Sequence, residues 1–554
     1  MHTPRLWGTL DPFIEGGHVM GRKVANGGFL DALLEADPFD AYHFFLTSAR
    51  ARDEHRALLE KRHPELAGRN KFKFLTRLDL SRCLSDTDYA VFHLSDCIVS
   101  QTHLAVARNA LSRTIFPITA PIHSLSYAHF AREFLQHLWP GTTARDAIVT
   151  TSTAGLAVVE GFFEALRRGY GLASENFPAP TLARIPLGVD PAGYGPLAGQ
   201  DRLAVRARLG LPAEAVILLV LGRISFFSKM DLLPLLRAIQ RLAADGLDLQ
   251  GLCLAVAGWT DDDPGPLPGI LANLAANIGL PFRLVARPAE ADKRELFGVA
   301  DVFVSLADNP QETFGLSLLE AMASGLPVVA SDFDGYRDIV DHGRTGYLVS
   351  TLGLPDTDPW DVLAPLCYDN QTHLLLAQGL AVDTAETAAA LRALVLDPGL
   401  RRDMGRAGRE RVETGFSWAS VIRRHLSLWE DLAGRPVPDR ESLARRRHPA
   451  AMAYGELFAG YPSRRLDDTT RLTWSRTGQA VYHGRDFPVL YAGLDGIIRV
   501  AALRTLLFLA RTPCPGATLA ARLAAAVPEL DAFAARFHVV FALKHDLLEK
   551  AREA

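Results

Sequence analysis

Residues 299–331, VADVFVSLADNPQETFGLSLLEAMASGLPVVAS, narrow the possible folds more than any other stretch of the chain. DVFVSLA is a short apolar run that fits a buried strand. DNPQETFG carries turn formers, and LSLLEAMASG after it reads as a helix stopped by Gly325 and Pro327. PVVAS supplies the next strand, so the stretch is a β-loop-α-β unit of a parallel sheet. Such sheets take ligands outside the carboxyl ends of their strands, where the DNPQETFG loop lies.

Two carboxylates mark the unit: Glu312 in the loop and Glu320 in the helix, with seven residues between them. Leu316, Leu318, Leu319 and Met322 make the helix apolar almost all round, and such a helix is normally buried. A buried Glu320 needs hydrogen-bond donors. The hydroxyls of a bound sugar would supply them; a neighbouring Arg, with Glu312 left in solvent, satisfies the spacing equally well. The backbone N–H groups of Thr313, Phe314, Gly315 and Leu316 form the open end of the helix, a ready site for phosphate or sugar oxygens.

The run Glu312-Thr-Phe-Gly-Leu followed by Leu-Glu320-Ala-Met-Ala-Ser-Gly-Leu-Pro-Val-Val-Ala-Ser resembles the E-x7-E region of retaining glycosyltransferases of family four. The likeness continues through Gly335 and the segment GRTGYLV from Gly343. It implies an α/β protein of the GT-B fold, with two Rossmann-like domains facing a cleft. It also implies transfer of a sugar from a nucleotide-diphosphate donor, with retention, to an unidentified glycan, lipid-linked or protein acceptor. By resemblance Glu312 positions the donor sugar and Glu320 holds the ribose. Front-face reaction, with the leaving phosphate helping to deprotonate the acceptor, is the mechanism the family implies.

The rest of the chain is consistent with that plan. Within residues 1–195, AYHFFLTS, YAVFHLSD, IFPITAPIHS and DAIVTTS read as strands with helices between them, giving an N-terminal Rossmann-like acceptor domain. Gly16 and Gly17 open a helix that runs towards FLDALLEA, where adjacent glycines allow close approach to an anion. Taken alone the pair is an ordinary turn, but the family places a glycine-rich loop here against the donor phosphate or acceptor. His123 ends an apolar run, as a structural histidine would; by resemblance it faces the donor sugar. ARIPLGVD resembles the segment that closes the family's N-terminal domain, and the Gly/Pro-rich DPAGYGPLAGQD after it reads as a linker.

Residues 203–432 form the expected nucleotide-sugar-binding domain. Arg223 and Lys229 follow its first strand, where two cations either neutralise a diphosphate or stand in solvent. The family puts an Arg and a Lys here on the donor diphosphate. This chain has one extra residue between them, and Met230 stands where Gly is common. Arg287 follows FRLVA, where the family builds its base pocket largely from backbone. FSW at 416–418 and the helix to Leu432 resemble the closing helix that crosses back to the first domain.

Residues 434–554 have no counterpart in that family and read as a mainly helical C-terminal extension of unknown role, expected to help choose or hold the acceptor. The basic run 440–447 reads as a solvated linker, and TRLTWSRTGQAVYHG as a small hairpin. Residues 494–512 and 516–549 read as helices.

Asp332 and Asp334 raise a metal-binding alternative, since Asp-x-Asp after a strand holds a cation in other glycosyltransferases. The preferred reading is a loop and helix cap, and the acidic turn at 261–263 reads as a solvated loop; the expected activity is therefore metal-independent, with no metal ligand and no cofactor beyond the donor. At 554 residues the chain suggests roughly two to four domains. Hydrophobic residues make up 48% and charged residues 22%, which is ordinary for a globular protein, and a net charge of −4 gives no global attraction to nucleic acid. Five scattered cysteines without C-x-x-C read as reduced thiols. Without a signal pattern or a span-length apolar stretch, the cytoplasm is the default, with at most peripheral membrane contact. Two alternatives stay open: a catalytically inactive sugar-nucleotide-binding scaffold, and a nucleic-acid-binding protein acting through a helix-turn-helix in LAARLAAAVPELDAFAARFHVVFALK.

Overall fold

In this computed structural model, residues 4–15, 21–259, 267–467, 469–491, 493–494 and 497–551 are described. The expected glycines Gly16 and Gly17 and the acidic turn at 261–263 lie outside the described residues.

The first sheet has seven parallel strands: β1 (Leu6–Thr9), β2 (Ala41–Leu46), β3 (Phe72–Thr76), β4 (Val91–His93), β5 (Ile118–Pro121), β6 (Asp146–Thr150) and β7 (Thr181–Arg184). Their order is β3-β2-β1-β4-β5-β6-β7, so the winding reverses between β1 and β4. The four expected strands are β2, β4, β5 and β6. Strands β1, β3 and β7 (LWGT, FKFLT, TLAR) mix polar and apolar residues and do not stand out as apolar runs.

The second sheet has six parallel strands: β8 (Val216–Arg223), β9 (Leu252–Trp259), β10 (Phe282–Ala286), β11 (Val302–Ser305), β12 (Val328–Ser331) and β13 (Gly346–Val349). Its order, β10-β9-β8-β11-β12-β13, reverses between β8 and β11. That switch point opens a crevice outside the strand ends. The loop carrying Arg223 to Lys229 leaves β8 there, and the loop carrying Glu312 leaves β11 beside it. The fold is thus two Rossmann-like halves of GT-B type.

Helix Trp418–Gly434 crosses back to the first sheet as expected. Its Ile422 and Trp429 join the core of Phe29, Leu30 and Phe39, and Trp429 Nε1 donates to Thr119 Oγ1 at 2.9 Å. Between β13 and helix Thr384–Leu396 the chain makes an excursion: β14 (Thr351–Gly353) and β15 (Leu380–Val382) pair antiparallel, with helices Asp358–Leu363 and Asp369–Gln378 between them.

The chain divides into two compact units, Met1–Ala450 and Ala451–Ala554, and both large sheets belong to the first. Residues 440–447 are not a solvated linker. Leu443 is fully buried, Arg440 Nε donates to Ser112 O at 2.7 Å, Arg446 donates to Pro140 O, and His448 Nε2 bonds to Gln136 O at 2.9 Å. The guanidiniums satisfy carbonyls at turns of the first half, which a charge run does not reveal in sequence.

The second unit has a three-stranded antiparallel sheet of β16 (Arg471–Trp474), β17 (Cys514–Pro515) and β18 (Leu548–Lys550), in the order β17-β16-β18. The expected hairpin at TRLTWSRTGQAVYHG is β16 followed by helix Arg476–Tyr482. Ser475 Oγ accepts from Gly478 N at 2.9 Å, a side-chain cap that starts a helix where a strand reversal was expected. Helices Val500–Leu509, Gly516–Ala526 and Ala532–Lys544 complete the unit. The last two are joined through 527–531, but the exposed side chains of the second include Phe533, Phe537 and Val540, and its cations are only Arg536 and Lys544. That surface lacks the basic stripe of a nucleic-acid reader. Among the described residues, no helix is long and apolar enough to cross a membrane.

Candidate functional site

Strand β8 ends at Arg223, whose Nη2 donates to Ser228 O at 3.2 Å and lies 3.5 Å from Gln311 Oε1. The chain turns through 224–228, and Lys229 comes back to ion-pair with Glu312, each side chain 15% exposed. Burial pushes the Glu312 carboxyl up, but the Lys229 charge and hydrogen bond, helped by the N–H groups of Phe314 and Thr313, outweigh it and hold the carboxyl below its usual range. Burial likewise opposes the Lys229 ammonium, and Glu312 outweighs it, so the Lys229 pKa is raised. Both groups are charged at neutral pH. Tyr336 stands against the pair, its hydroxyl 2.7 Å from Ser305 Oγ; burial pushes its pKa up to about 12, so it keeps its proton.

Helix Leu316–Ala323 starts directly after this loop. Leu318, Leu319 and Met322 are fully buried, each worth about 1.5–3 kcal/mol, which pins the open N-terminal turn in place. Gly315 has φ +117°, and a Cβ there would lie 2.6 Å from the Tyr336 ring. At Gly335 a Cβ would lie 2.6 Å from Phe314 Cα and 2.8 Å from Thr313 O. The turn after β12 therefore packs its backbone on the helix start at Gly335, while Gly315 makes room for the Tyr336 ring at a positive φ, and both positions need glycine.

Glu320 is buried in a separate group. Lys293, from helix Glu290–Val299, places Nζ 2.5 Å from its Oε1, and Tyr194 OH donates to the same oxygen at 2.9 Å. The cation that the spacing left open is this Lys, not an Arg. Arg287 follows β10 with φ +48°, its N–H bonded to Gly258 O at 2.7 Å.

Asp332 and Asp334 do not act together. The Asp332 carboxylate takes Arg337 Nε at 2.7 Å. Asp334 has φ +47°, and its Oδ2 is buried without a hydrogen-bond partner. It is not the helix cap expected from sequence: Gly335 holds that position before helix Tyr336–Ile339, and no side chain caps it. Burial first, then the nearby Glu312 charge, pushes the Asp334 carboxyl up to about 8. Among the described residues, no group of three His, Cys, Asp or Glu is placed to hold a metal ion.

The facing wall comes from the first sheet. His123 follows β5, and its Nε2 is 2.8 Å from Ser95 O, so that nitrogen carries the proton. Burial, against the pull of that bond and of Asp96, lowers its pKa to about 4. The ring is neutral at pH 7. Ser124 Oγ donates to Gln311 O at 2.9 Å and Thr151 Oγ1 to Thr313 O at 3.4 Å. Thr153 donates to Asp338 from both its N–H and its hydroxyl, and Arg184 Nη1 lies 3.4 Å from Asp338 Oδ1.

The structure thus gathers Arg223, Lys229, Glu312, Thr313, Phe314, Gly315 and Leu316 on one wall and brings the loop after His123 against them. Sequence reasoning missed Gln311, Tyr336 and Asp338, although all three lie inside or just beyond the motif it quoted. It also missed Lys293, Tyr194 and His373, for which no spacing gave a signal.

A parallel-sheet crevice lined by two cations, a carboxylate and a helix N-terminus thus lies at the switch point of a fold of GT-B type. Residues 215–356 match the family model "Glycosyl transferases group 1", and this part of the chain is a domain of that family. The likeness to family-four glycosyltransferases is borne out for that domain and for the fold. Relatives include a D-inositol 3-phosphate glycosyltransferase of Kineococcus radiotolerans, 32% identical over 261 residues that cover 46% of this chain and 52% of the relative. The protein of the same name in Catenulispora acidiphila is 28% identical over 365 residues, covering 63% and 75%. The chain spans only about half the length of the first two relatives it matches (52% and 44%). Among solved structures, Anabaena Alr3699/HepE in complex with UDP aligns with a TM-score of 0.52 at 14% identity, over 77% of this chain and all of that one. A glycosyltransferase of Rickettsia africae aligns at 0.51 and 13% identity, over 78% of this chain and all of that one.

Proposed function

We propose that the chain is a retaining glycosyltransferase moving a sugar from a nucleotide-diphosphate donor to an acceptor held towards the first domain. The observation that carries this is the convergence of Arg223, Lys229, Glu312 and the open end of helix Leu316–Ala323 at the switch point of the second sheet. The diphosphate gains charge as it leaves. Preorganised donors aimed at such charge are worth roughly 3–4 kcal/mol each. Lys229 stays protonated, so it can move from Glu312 to the phosphate without a change of charge, and Glu312 is then free for the sugar hydroxyls. Glu320, held by Lys293 and Tyr194, is assigned to the ribose, and Arg287 to the edge of the base site. His123, neutral, presents Nδ1 as an acceptor. The UDP bound by Anabaena Alr3699/HepE makes uridine nucleotides the first probes.

The test is a thermal-shift screen of nucleotide sugars, followed by transfer assays and the anomeric configuration of the product. A stabilising donor and a retained product support the reading; an inverted product overturns the retaining assignment. Side chains and helix N–H groups meet the leaving charge here, so activity is expected to survive EDTA. Loss on chelation, restored by Mn or Mg, would mean a metal meets that charge.

The second unit is assigned to acceptor choice, and the cut that tests it falls after Ala450, because residues 440–448 belong to the first unit. Donor binding kept with transfer lost supports that role; unchanged transfer removes it.

A further inference from the structure

The excursion between β13 and helix Thr384–Leu396 is exposed along most of its length, with Leu352, Leu366 and Tyr368 each more than three-quarters in solvent (77%, 84% and 89%). It buries one polar ring completely. His373, on helix Asp369–Gln378, has no exposed surface. The family match ends at residue 356, just inside this excursion, so the histidine lies beyond the matched domain.

Its two ring nitrogens have different tasks. Gln311 Nε2 meets Nδ1, and Ser126 Oγ lies 2.8 Å from Nε2. An amide N–H only donates, so Nδ1 is the acceptor and Nε2 carries the proton given to Ser126. The ring also packs edge-on against Tyr127, with centroids 5.3 Å apart. Gln311 precedes Glu312 and turns its other amide atom, Oε1, to Arg223. Ser126 belongs to the loop after His123 on the opposite wall. One side chain therefore links the facing wall, the Glu312 loop and, through Gln311, the diphosphate-facing guanidinium.

The geometry points to His373 as a positioning residue for transfer. It holds Gln311, and with it Arg223 and the Glu312 loop, in the reactive arrangement while tying that arrangement to the facing wall. This rests on the reading of the site as a donor pocket. A buried ring that touches only protein contributes to the barrier by fixing groups that do touch the donor.

The experiment compares the full-length protein with His373→Phe and His373→Gln. Phe keeps the ring against Tyr127 and removes both hydrogen bonds; Gln gives up the ring but can accept from Gln311 and donate to Ser126. Release of nucleoside diphosphate from the donor found in the screen is followed against donor concentration, and hydrogen exchange is followed at 124–127 and 311–313. Expected are a kcat lower by about tenfold to a hundredfold in the Phe variant, with KM within about threefold, and recovery to within about threefold by Gln. Faster exchange in both segments of the Phe variant accompanies this. A Phe variant that matches wild type, a loss confined to KM, or a Gln variant as poor as Phe overturns the proposal. If the wild type binds no nucleotide, the donor reading fails instead, and unchanged exchange in the Phe variant would then separately overturn the link.

Discussion

The two walls of the cleft use different chemistry. On the second-sheet wall the charges are concentrated: Lys229 is paired with Glu312 and Arg223 stands beside Gln311, while Asp334 is buried uncharged next to Glu312. On the first-sheet wall, apart from Arg184 at its edge, they are neutral: the hydroxyls of Ser124, Ser126 and Thr151, and an imidazole whose pKa is lowered to about 4. A wall of charges suits a diphosphate that gains charge as it leaves. A wall of hydroxyls and a neutral ring suits the uncharged end of a donor and an incoming acceptor. On the proposed reading the charged wall also carries a cost, because the Lys229–Glu312 pair opens when the donor arrives.

That contrast can be broken most sharply at Arg223. Arg223→Ala removes an exposed cation and is expected to lower kcat by about a hundredfold to a thousandfold in a transfer assay, with an unchanged circular-dichroism spectrum. Turnover within a few-fold of wild type would show that the charged wall is not where the leaving group sits.

Lys229 and Glu312 sharpen the comparison through stability. Lys229→Met leaves Glu312 charged, mostly buried and unpaired, an expected loss of about 2–4 kcal/mol in urea denaturation. Joining it with Glu312→Gln should return part of that loss, the coupling a double-mutant cycle reads. Additive losses would mean the pair is not a unit. Alanine at Glu312 is accordingly a poor probe of catalysis, since it strands the Lys229 cation.

The smallest expected effect is at Asp334. Its folded pKa is raised to about 8 from the ordinary 3.8, so between those values the folded chain binds more protons than the unfolded one. Stability from this group is complete below pH 4 and declines as pH rises towards 8. Asp334→Asn, which tolerates the positive φ, should raise Tm at pH 8 by about 1–2 °C and change it less at pH 5. An equal shift at both pH values would contradict the burial of an uncharged carboxyl.

The charged wall was also the more legible one. Glu312, the helix start and the strands beside them sit in one continuous run, where strand, turn and helix periods fix the geometry locally. Arg223 followed from its place at a strand end. The partners of those groups were not legible. Lys293 reaches Glu320 from another helix, His373 reaches Gln311 from an exposed excursion, and Ser124 meets Gln311 across the cleft; long-range packing sets each contact. The docking of residues 440–448 was hidden for the same reason: arginines that satisfy buried carbonyls look like solvated ones in a sequence. Asp334 misled differently, since Asp before a short helix reads as a cap unless its positive φ is known.

The central claim is that the charged wall is built for a nucleoside diphosphate. Calorimetric titration of the full-length protein with UDP, GDP, ADP and their sugars tests it directly, alongside Arg223→Ala. At least one of these ligands should bind the wild type and, at a hundred times its Kd, stabilise it by about 2.7 kcal/mol, with binding markedly weakened in the variant. No binding by any of them at millimolar concentration, or binding that ignores the loss of Arg223, would contradict the account.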